Sequence, residues 1–220
     1  MSTAGGRGPG RPRKLPAAEQ RERVLSAACQ AFAAHGRQGT TIEEIARLAG
    51  LTRQAVYEQF GDKNALFDEV VAHVEDLAYT TIAAQGAGDA DLGLKPWARR
   101  NFATLFAFVA EHPEAKPILD EAERTGNPAL TRLRARLAEV YTKASRQRWV
   151  AHGMEPGRAD TALVTMYFAM TEALVGLSWD GPAPDREALI DLLTEFTVGG
   201  VLRLHRQSPD VIARVRGPVE

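Results

Sequence analysis

Residues 40–67 read TTIEEIARLAGLTRQAVYEQFGDKNALF, and this stretch decides the fold of the N-terminal part of the chain. Apolar residues recur at helical spacing across residues 42–49, which predicts a short amphipathic helix. Thr40 and Thr41 are each followed three residues later by a glutamate, so a capping box is possible in either register. The sequence therefore predicts that a helix begins here, with either Thr40 or Thr41 as its N-cap.

A tight turn separates this helix from a second short one. Gly50 is a helix-ending residue, and Thr52 is a plausible cap for a helix that runs to Gly61. A helix-turn-helix needs a small residue where the helices cross, a glycine in the turn and a cap on the second helix. Ala46, Gly50 and Thr52 supply these three features, so residues 42–60 are predicted to form that motif.

The rest of the chain is predicted to be helical as well. A first helix begins at Ala17, with Gly36 as its stop signal, and precedes the motif. Beyond it, the apolar periodicity predicts helices over about 63–84, 96–112, 114–124, 129–151, 162–179 and 185–207. The sequence has no strand alternation, no internal repeat and no heptad run, so we expect an all-α fold.

Composition limits the class of protein. Hydrophobic residues make up 45% and charged residues 25% of the 220 residues, which is ordinary for a soluble globular chain. The single cysteine, Cys29, excludes an internal disulfide framework, and no apolar stretch follows the basic start, so we expect a cytoplasmic protein. Residues 162–179 approach the length of a membrane span, but their threonines and Glu172 suit a helix buried in protein, and no membrane partner is expected.

Charge is unevenly distributed along the chain. Residues 1–64 contain 10 Lys and Arg against 6 Asp and Glu, whereas the whole chain has a net charge of −1. Residues 1–16 are rich in Gly, Pro and Arg and are expected to form a flexible basic arm. Within it, residues 10–14 are similar to the core of an AT-hook, whose arginines lie along a narrow minor groove. The alternative is a non-specific basic tail.

Residues 19–70 resemble the TetR family of bacterial transcriptional regulators. The residues that carry the resemblance are Phe32, Gly36, Thr40–Ile42, Ile45–Ala46, Ala49–Leu51, Val56–Phe60, Lys63 and Leu66–Phe67. The resemblance implies a three-helix DNA-binding domain joined by a fourth helix to a helical ligand-binding and dimerisation bundle. The corresponding division of the chain is an arm at 1–16, a DNA-binding domain at 17–62, a ligand-binding and dimerisation domain at 63–208 and a C-terminal tail at 209–220.

The resemblance also implies roles for individual residues. Arg53 and Gln54 open the recognition helix, where they are expected to read guanine and adenine, although both could be ordinary solvated residues. Thr41 is expected to bind a phosphate at a helix N-terminus, and Tyr57 and Lys63 are expected to bind the DNA backbone. The full expected set is Arg11, Arg13, Lys14, Thr41, Thr52, Arg53, Gln54, Tyr57 and Lys63.

A ligand site is expected between the helices that follow the motif, because aromatic and methionine residues gather on three of them. The expected lining is Phe102, Phe106, Tyr141, Trp149, Met166, Met170 and Glu172. For any one of the apolar residues, an ordinary core position is the alternative. Glu172 is either an interior carboxylate with a partner or a polar group that lines the pocket.

The chain is therefore expected to be a ligand-responsive regulator, and a repressor in particular. It would bind a palindromic double-stranded DNA operator as a homodimer, paired through residues 160–179 and 185–206, and a small, hydrophobic effector would release it. The alternative is a ligand-independent architectural DNA-binding protein. No catalytic, metal-binding or cofactor-binding motif is present in the sequence, so we expect neither an enzyme nor a cofactor.

Overall fold

The structure is a computed structural model that describes residues 15–87, 92–151, 153, 157–177 and 184–216. Regular structure within these residues is entirely helical, which confirms the predicted all-α class. The helices are α1 (Ala17–Gly39), α2 (Ile42–Ala49), α3 (Arg53–Phe60), α4 (Lys63–Ala87), α5 (Leu94–Glu111), α6 (Ala115–Arg124), α7 (Ala129–Ala151), α8 (Arg158–Val175), α9 (Arg186–Gln207) and α10 (Pro209–Arg216). The chain forms two compact units, one up to Val70 and one from Val71 onward.

The first unit selects one of the two capping registers. Thr41 is the N-cap of α2, and its hydroxyl accepts a hydrogen bond from the Glu44 backbone N–H at 3.1 Å. α2 ends at Gly50, whose φ of 67° is the left-handed conformation that favours glycine. Thr52 then caps α3 by accepting from the Ala55 N–H at 3.1 Å. The turn between α2 and α3 is thus built as the sequence predicts.

Thr40 has a different task from its neighbour Thr41. It is fully buried, and its hydroxyl donates to the carbonyls of Gly36 at 2.8 Å and Ala31 at 3.0 Å. α1 does not stop at Gly36 but kinks there, with a φ of 66°, and continues for one short turn to Gly39. Because Thr40 bonds the carbonyl of Gly36 at the kink and that of Ala31 before it, it fixes the path of the chain from α1 into α2.

The core of the first unit joins α1, α2, α3 and the first turns of α4. Phe32 and Phe67 meet edge to face, with ring centroids 5.1 Å apart. Around them lie side chains that are at most 1% exposed: Val24, Ala28, Ile45, Val56, Leu66 and Val70. Full burial of one such large aliphatic side chain stabilises a fold by about 1.5–3 kcal/mol. This core holds α2 and α3 in a fixed pose.

In the second unit, an aromatic cluster lies where α4, α5, α7 and α8 meet. The Tyr141 hydroxyl lies 3.2 Å from both the Ile82 carbonyl and Asn101 Oδ1. A side chain at Gly86 would meet the Tyr141 ring at 2.6 Å, so this end of α4 approaches α7 closely only because it carries glycine. Burial raises the pKa of Tyr141 and that of Tyr167, so both phenols remain neutral.

Two element boundaries differ from the sequence prediction. α8 begins at Arg158, where the Asp160 carboxylate accepts from the Gly157 N–H at 2.7 Å, rather than at residue 162. Residues 209–216 form α10, where the sequence predicted a tail. Ile212 is 6% exposed and buries α10 against its neighbours. α10 was not predicted, although Ser208 followed by Pro209 is typical of a helix start.

Candidate nucleic-acid interface and ligand cavity

The outer face of α3 carries polar side chains because its inner face is committed to the core. Val56 and Phe60 are at most 7% exposed. One turn away, Arg53 and Gln54 are exposed, and Tyr57 is 50% exposed. A buried face and a polar face on so short a helix are what a recognition helix requires, because the exposed side chains can enter a groove while the helix stays anchored.

The exposed side chains of α3 already have partners. Arg53 Nη1 lies 3.4 Å from Glu43 Oε2, and the Gln54 amide donates to Glu58 at 2.8 Å. Both partners of the Arg53–Glu43 pair are well exposed, so the pair contributes only about 0–1 kcal/mol. Both contacts can therefore be exchanged for DNA contacts at little cost.

Thr41 and Lys63 lie close to each other at the start of α2. Thr41 is exposed at the helix N-terminus, where free N–H groups favour an anion. The Lys63 ammonium donates to the carbonyls of Thr40 at 2.9 Å and Gln38 at 3.4 Å. Those bonds use two of its three donors and hold the ammonium beside the N-terminus of α2, so a phosphate at this point would meet a fixed positive charge. The backbone carbonyls that hold Lys63 were not apparent from the sequence.

The expected contacts of the basic arm, Arg11, Arg13 and Lys14, lie outside the described residues. Thr52 is exposed at the N-terminus of α3. The structure therefore brings Thr52, Arg53, Gln54 and Tyr57 onto one helix and places Thr41 and Lys63 at the neighbouring helix start.

An enclosed cavity of about 90 Å³ lies within the second unit, between α4, α5, α6, α7 and α8. Its walls are mostly apolar, and the residues that form them include Ala78, Ile82, Leu105, Phe108, Leu119, Leu130, Leu133, Leu137 and Phe168. Four residues with polar side chains, His112, Lys116, Arg134 and Glu172, complete its lining. Apolar walls with few polar groups are typical of a small-molecule site, although this cavity is smaller than the roughly 300–1,000 Å³ usual for such sites.

A second, smaller cavity of about 40 Å³ lies between α5, α7, α8 and α9. Trp97, Tyr141, Trp149 and Tyr167 are among its lining residues. The Tyr167 and Thr197 hydroxyls are buried and have no hydrogen-bond partner in the described part of the chain. A space of this size with two such groups can hold ordered water.

The residues expected to line a ligand site are divided between these places. Glu172 lines the larger cavity, and Tyr141 and Trp149 line the smaller one. Phe102 is fully buried and stacks on Tyr167, with ring centroids 4.5 Å apart. Four of the predicted residues line neither cavity: the buried Phe102, the half-buried Phe106 and Met170, and Met166, which is 56% exposed.

The lining residues that α4 and α6 contribute to the larger cavity were not predicted from the sequence. Ala78 and Ile82 on α4 and Leu119 on α6 follow ordinary helical periods, so their pattern could not separate a cavity wall from a core. It also missed Arg134, which meets Glu172 across 38 residues of sequence. No local pattern indicates such a pairing.

The helices α8 and α9 together expose an apolar surface. Leu192 and Phe196 on α9 are 59% and 66% exposed, and Met166 on α8 is 56% exposed. Gly199 and Gly200 continue the α9 part of this surface, with open space where a side chain would lie. Leu193, by contrast, is 3% exposed and belongs to the core.

The described residues contain no group of three or more His, Cys, Asp or Glu side chains arranged to hold a metal ion. Among the described helices, none combines the length and the apolar character that crossing a membrane requires.

Comparison with known proteins identifies relatives of the first unit among bacterial regulatory proteins. Residues 24–70 match the family model described as bacterial regulatory proteins, tetR family. The transcriptional regulator AcrR of Shigella flexneri is 42% identical over 60 residues, which is 27% of this chain and 28% of AcrR. The transcriptional repressor BepR of Brucella suis is 45% identical over 58 residues, which is 26% of this chain and 28% of BepR. The chain thus matches just over a quarter of the length of each of these two relatives.

The likeness of the fold extends further. The crystal structure of a TetR-like transcriptional regulator from Rhodococcus sp. RHA1 superimposes with a TM-score of 0.68 at 22% identity. The superposition covers 86% of this chain and 99% of that one, so it includes the helices of the second unit. Residues 24–70 thus match the TetR family of bacterial regulatory proteins, and the fold along the rest of the described chain is similar to that of a TetR-like regulator.

Proposed function

We propose that the protein is a homodimeric transcriptional repressor that binds a palindromic operator and is released by a small, apolar effector. The observation that carries the proposal is the polar outer face of α3, anchored by Val56 and Phe60 and presenting Arg53 and Gln54 at its first turn. Residues at the start of a recognition helix are those that meet base edges in the major groove. Similarity to BepR, a transcriptional repressor, favours repression over activation.

Pairing of two chains supplies the second half-site. A single short recognition helix reads few bases, and two-fold pairing reads two half-sites about one helical turn apart. The exposed apolar surface of α8 and α9, with Leu192 and Phe196 at its centre, supports pairing there. The two adjacent glycines of α9 would let a partner helix approach closely.

The enclosed cavity supports an effector, and α4 is the element through which we expect the effector to act. α4 is one helix of 25 residues: Leu66 and Phe67 lie in the core of the first unit, and Ala78 and Ile82 line the cavity of the second. An effector changes operator affinity only if it binds one arrangement of α4 more tightly than another. The architectural alternative gives no role to this cavity.

Selection of bound duplexes from a random DNA pool tests the proposal. We expect an enriched inverted repeat, and we expect Arg53→Ala to relax the preference at one position of each half-site, by about 1–3 kcal/mol. Tyr57→Phe, which removes one backbone contact, should weaken binding by a similar factor for all sequences. A pool in which no sequence is enriched would overturn the DNA-reading role.

A further inference from the structure

An open groove runs along the outside of the second unit between α7 and α8, with a volume of about 1220 Å³. Its floor consists largely of small side chains, including Ala135, Ala138, Ala169 and Ala173. Four cationic side chains line it, Lys116, Arg134, Lys143 and Arg146, against two carboxylates, Glu139 and Glu172. Asp120 and Asp160 pair with Lys116 and Arg146, at 2.6 and 2.8 Å, so the place for an anion in the groove centres on Arg134.

The groove and the enclosed apolar cavity share a wall. Lys116, Arg134, Phe168 and Glu172 line both of them. These four residues form the wall between the groove and the cavity, which we call the Arg134 mouth because a molecule that displaced Glu172 from Arg134 would enter the cavity there. On the groove side the mouth is charged, and on the cavity side it meets aliphatic and aromatic side chains.

The ion pair across the Arg134 mouth has a particular geometry. Arg134 Nε lies 3.1 Å from Glu172 Oε1, and Nη2 lies 2.6 Å from Oε2, so the guanidinium holds the carboxylate with two parallel hydrogen bonds. This fork matches a planar carboxylate, whichever molecule carries it. Both side chains are partly exposed, at 46% and 34%, so a dissolved carboxylate can compete with Glu172.

We propose that the Arg134 mouth binds an amphipathic carboxylate. Its carboxylate takes the place of Glu172 in the fork of Arg134, with the Lys116 ammonium on the same rim, and its apolar chain enters the cavity. This inference rests on the proposed function, because it names the chemical class of the effector. It also explains why the mouth carries an internal carboxylate: Glu172 keeps Arg134 in place while the cavity is empty.

Calorimetric titration of the full chain with octanoate, octanol and octylamine tests this inference without DNA. We expect octanoate to bind at least about tenfold more tightly than octanol, which is the scale of one charge-assisted hydrogen bond, and octylamine to bind more weakly still. Glu172→Gln removes the internal competitor and should tighten octanoate binding about tenfold, whereas Arg134→Lys removes the fork and should weaken it by a similar factor.

Two matched controls separate this site from general electrostatics. Glu139→Gln removes the other carboxylate of the groove, which does not pair with Arg134, and should leave the octanoate affinity within about twofold. Arg99 on α5 also donates two hydrogen bonds to carboxylates, those of Glu187 and Asp191 on α9. Arg99→Lys should leave the octanoate affinity unchanged. Octanol binding as tightly as octanoate, equal effects of Glu139→Gln and Glu172→Gln, or no octanoate binding would each overturn the inference. None of these outcomes bears on operator binding, which the DNA selection tests separately.

Discussion

At the scale of single residues, Arg53, which we propose reads a guanine, already has a partner in the protein without DNA. Its guanidinium lies 3.4 Å from the carboxylate of Glu43, one helix away, with both groups in solvent. A weak, exposed pair of this kind restricts the arginine without trapping it. Arg53 must break its contact with the Glu43 carboxylate before it can bind a guanine. Glu43 therefore competes with the operator for the Arg53 guanidinium.

Glu43→Gln should therefore tighten operator binding, by up to about fivefold, because the competing charge is worth no more than about 1 kcal/mol. Fluorescence anisotropy with the selected duplex measures the change. Glu22→Gln, which removes an equally exposed carboxylate from α1, is the matched control for the general loss of negative charge. An equal gain in both variants would mean that Glu43 does not compete for Arg53.

Several of the residues that matter could be predicted from the sequence, because their roles are local. Thr41 and Thr52 cap the helices that follow them, and a cap is visible as a residue type at a fixed offset from an apolar period. The partner of Glu172 could not be predicted, since Arg134 lies on another helix and only the packing of α7 against α8 brings the two together. The choice between Thr40 and Thr41 as the cap of α2 likewise needed the buried position of Thr40.

At the scale of helices, α4 and α7 are joined by a charge cluster in the second unit. Glu75 on α4 is only 7% exposed, and Arg132 on α7 donates to it at 2.6 Å. Arg136, one turn along α7, lies 3.5 Å from the same carboxylate and stacks on the Tyr79 ring at 3.7 Å. Two arginines on α7 thus fix one buried carboxylate on α4.

This arrangement predicts an asymmetry between the two ways of breaking the cluster. The double variant Arg132→Ala/Arg136→Ala leaves the Glu75 carboxylate buried without a cation and should lower the free energy of unfolding by about 3–5 kcal/mol. Glu75→Gln leaves two arginines that can turn to solvent and should lower it by only about 1–2 kcal/mol. Urea denaturation at one fixed protein concentration measures both. A double variant that is no less stable than Glu75→Gln would contradict the described cluster.

Lys95→Ala is the control for an exposed pair, because Lys95 meets Glu195 between α5 and α9 with both side chains more than half exposed. Its loss should change the free energy of unfolding by less than about 1 kcal/mol.

The apolar surface of α8 and α9 leads to a prediction about pairing. Phe196→Glu or Leu192→Glu should give monomers that keep their helical content, because both side chains are more than half exposed in the single chain. Sedimentation velocity and circular dichroism measure these two properties. Val150→Glu is the matched control, since Val150 on α7 is 56% exposed and lies outside this surface. Dimers that persist in both α9 variants would move the pairing surface elsewhere.

The same surface marks where sequence analysis of helices reaches its limit. The apolar content of residues 185–206 indicates two faces, but it does not say which of Leu192 and Leu193 faces the core. The structure buries Leu193 at 3% exposure, so a charge at Leu193 would disrupt the fold rather than the pairing. Long helices with clear periods, such as α7, were predicted within a residue, whereas α10 was not predicted although Ser208 and Pro209 mark its start.

At the scale of the whole molecule, the chain combines a first unit that we propose reads DNA with a helical second unit that has a cavity. The first could be predicted almost residue by residue, because its caps, turn and core follow one contiguous stretch of 28 residues. The position of the cavity could not, because its walls come from five helices spread over residues 78–175. Packing at such separations decides which apolar residues touch and which enclose space.

A homodimeric repressor places two chains on one operator. Sedimentation of the full chain with the selected duplex measures the number of chains bound. The duplex should contain both half-sites in one preparation and a single half-site in another. The account predicts two chains on the complete operator, bound together, and at least about a hundredfold weaker binding to the single half-site, because its second set of phosphate and base contacts is lost. One chain bound to the complete operator, with the same affinity for the half-site, would contradict it.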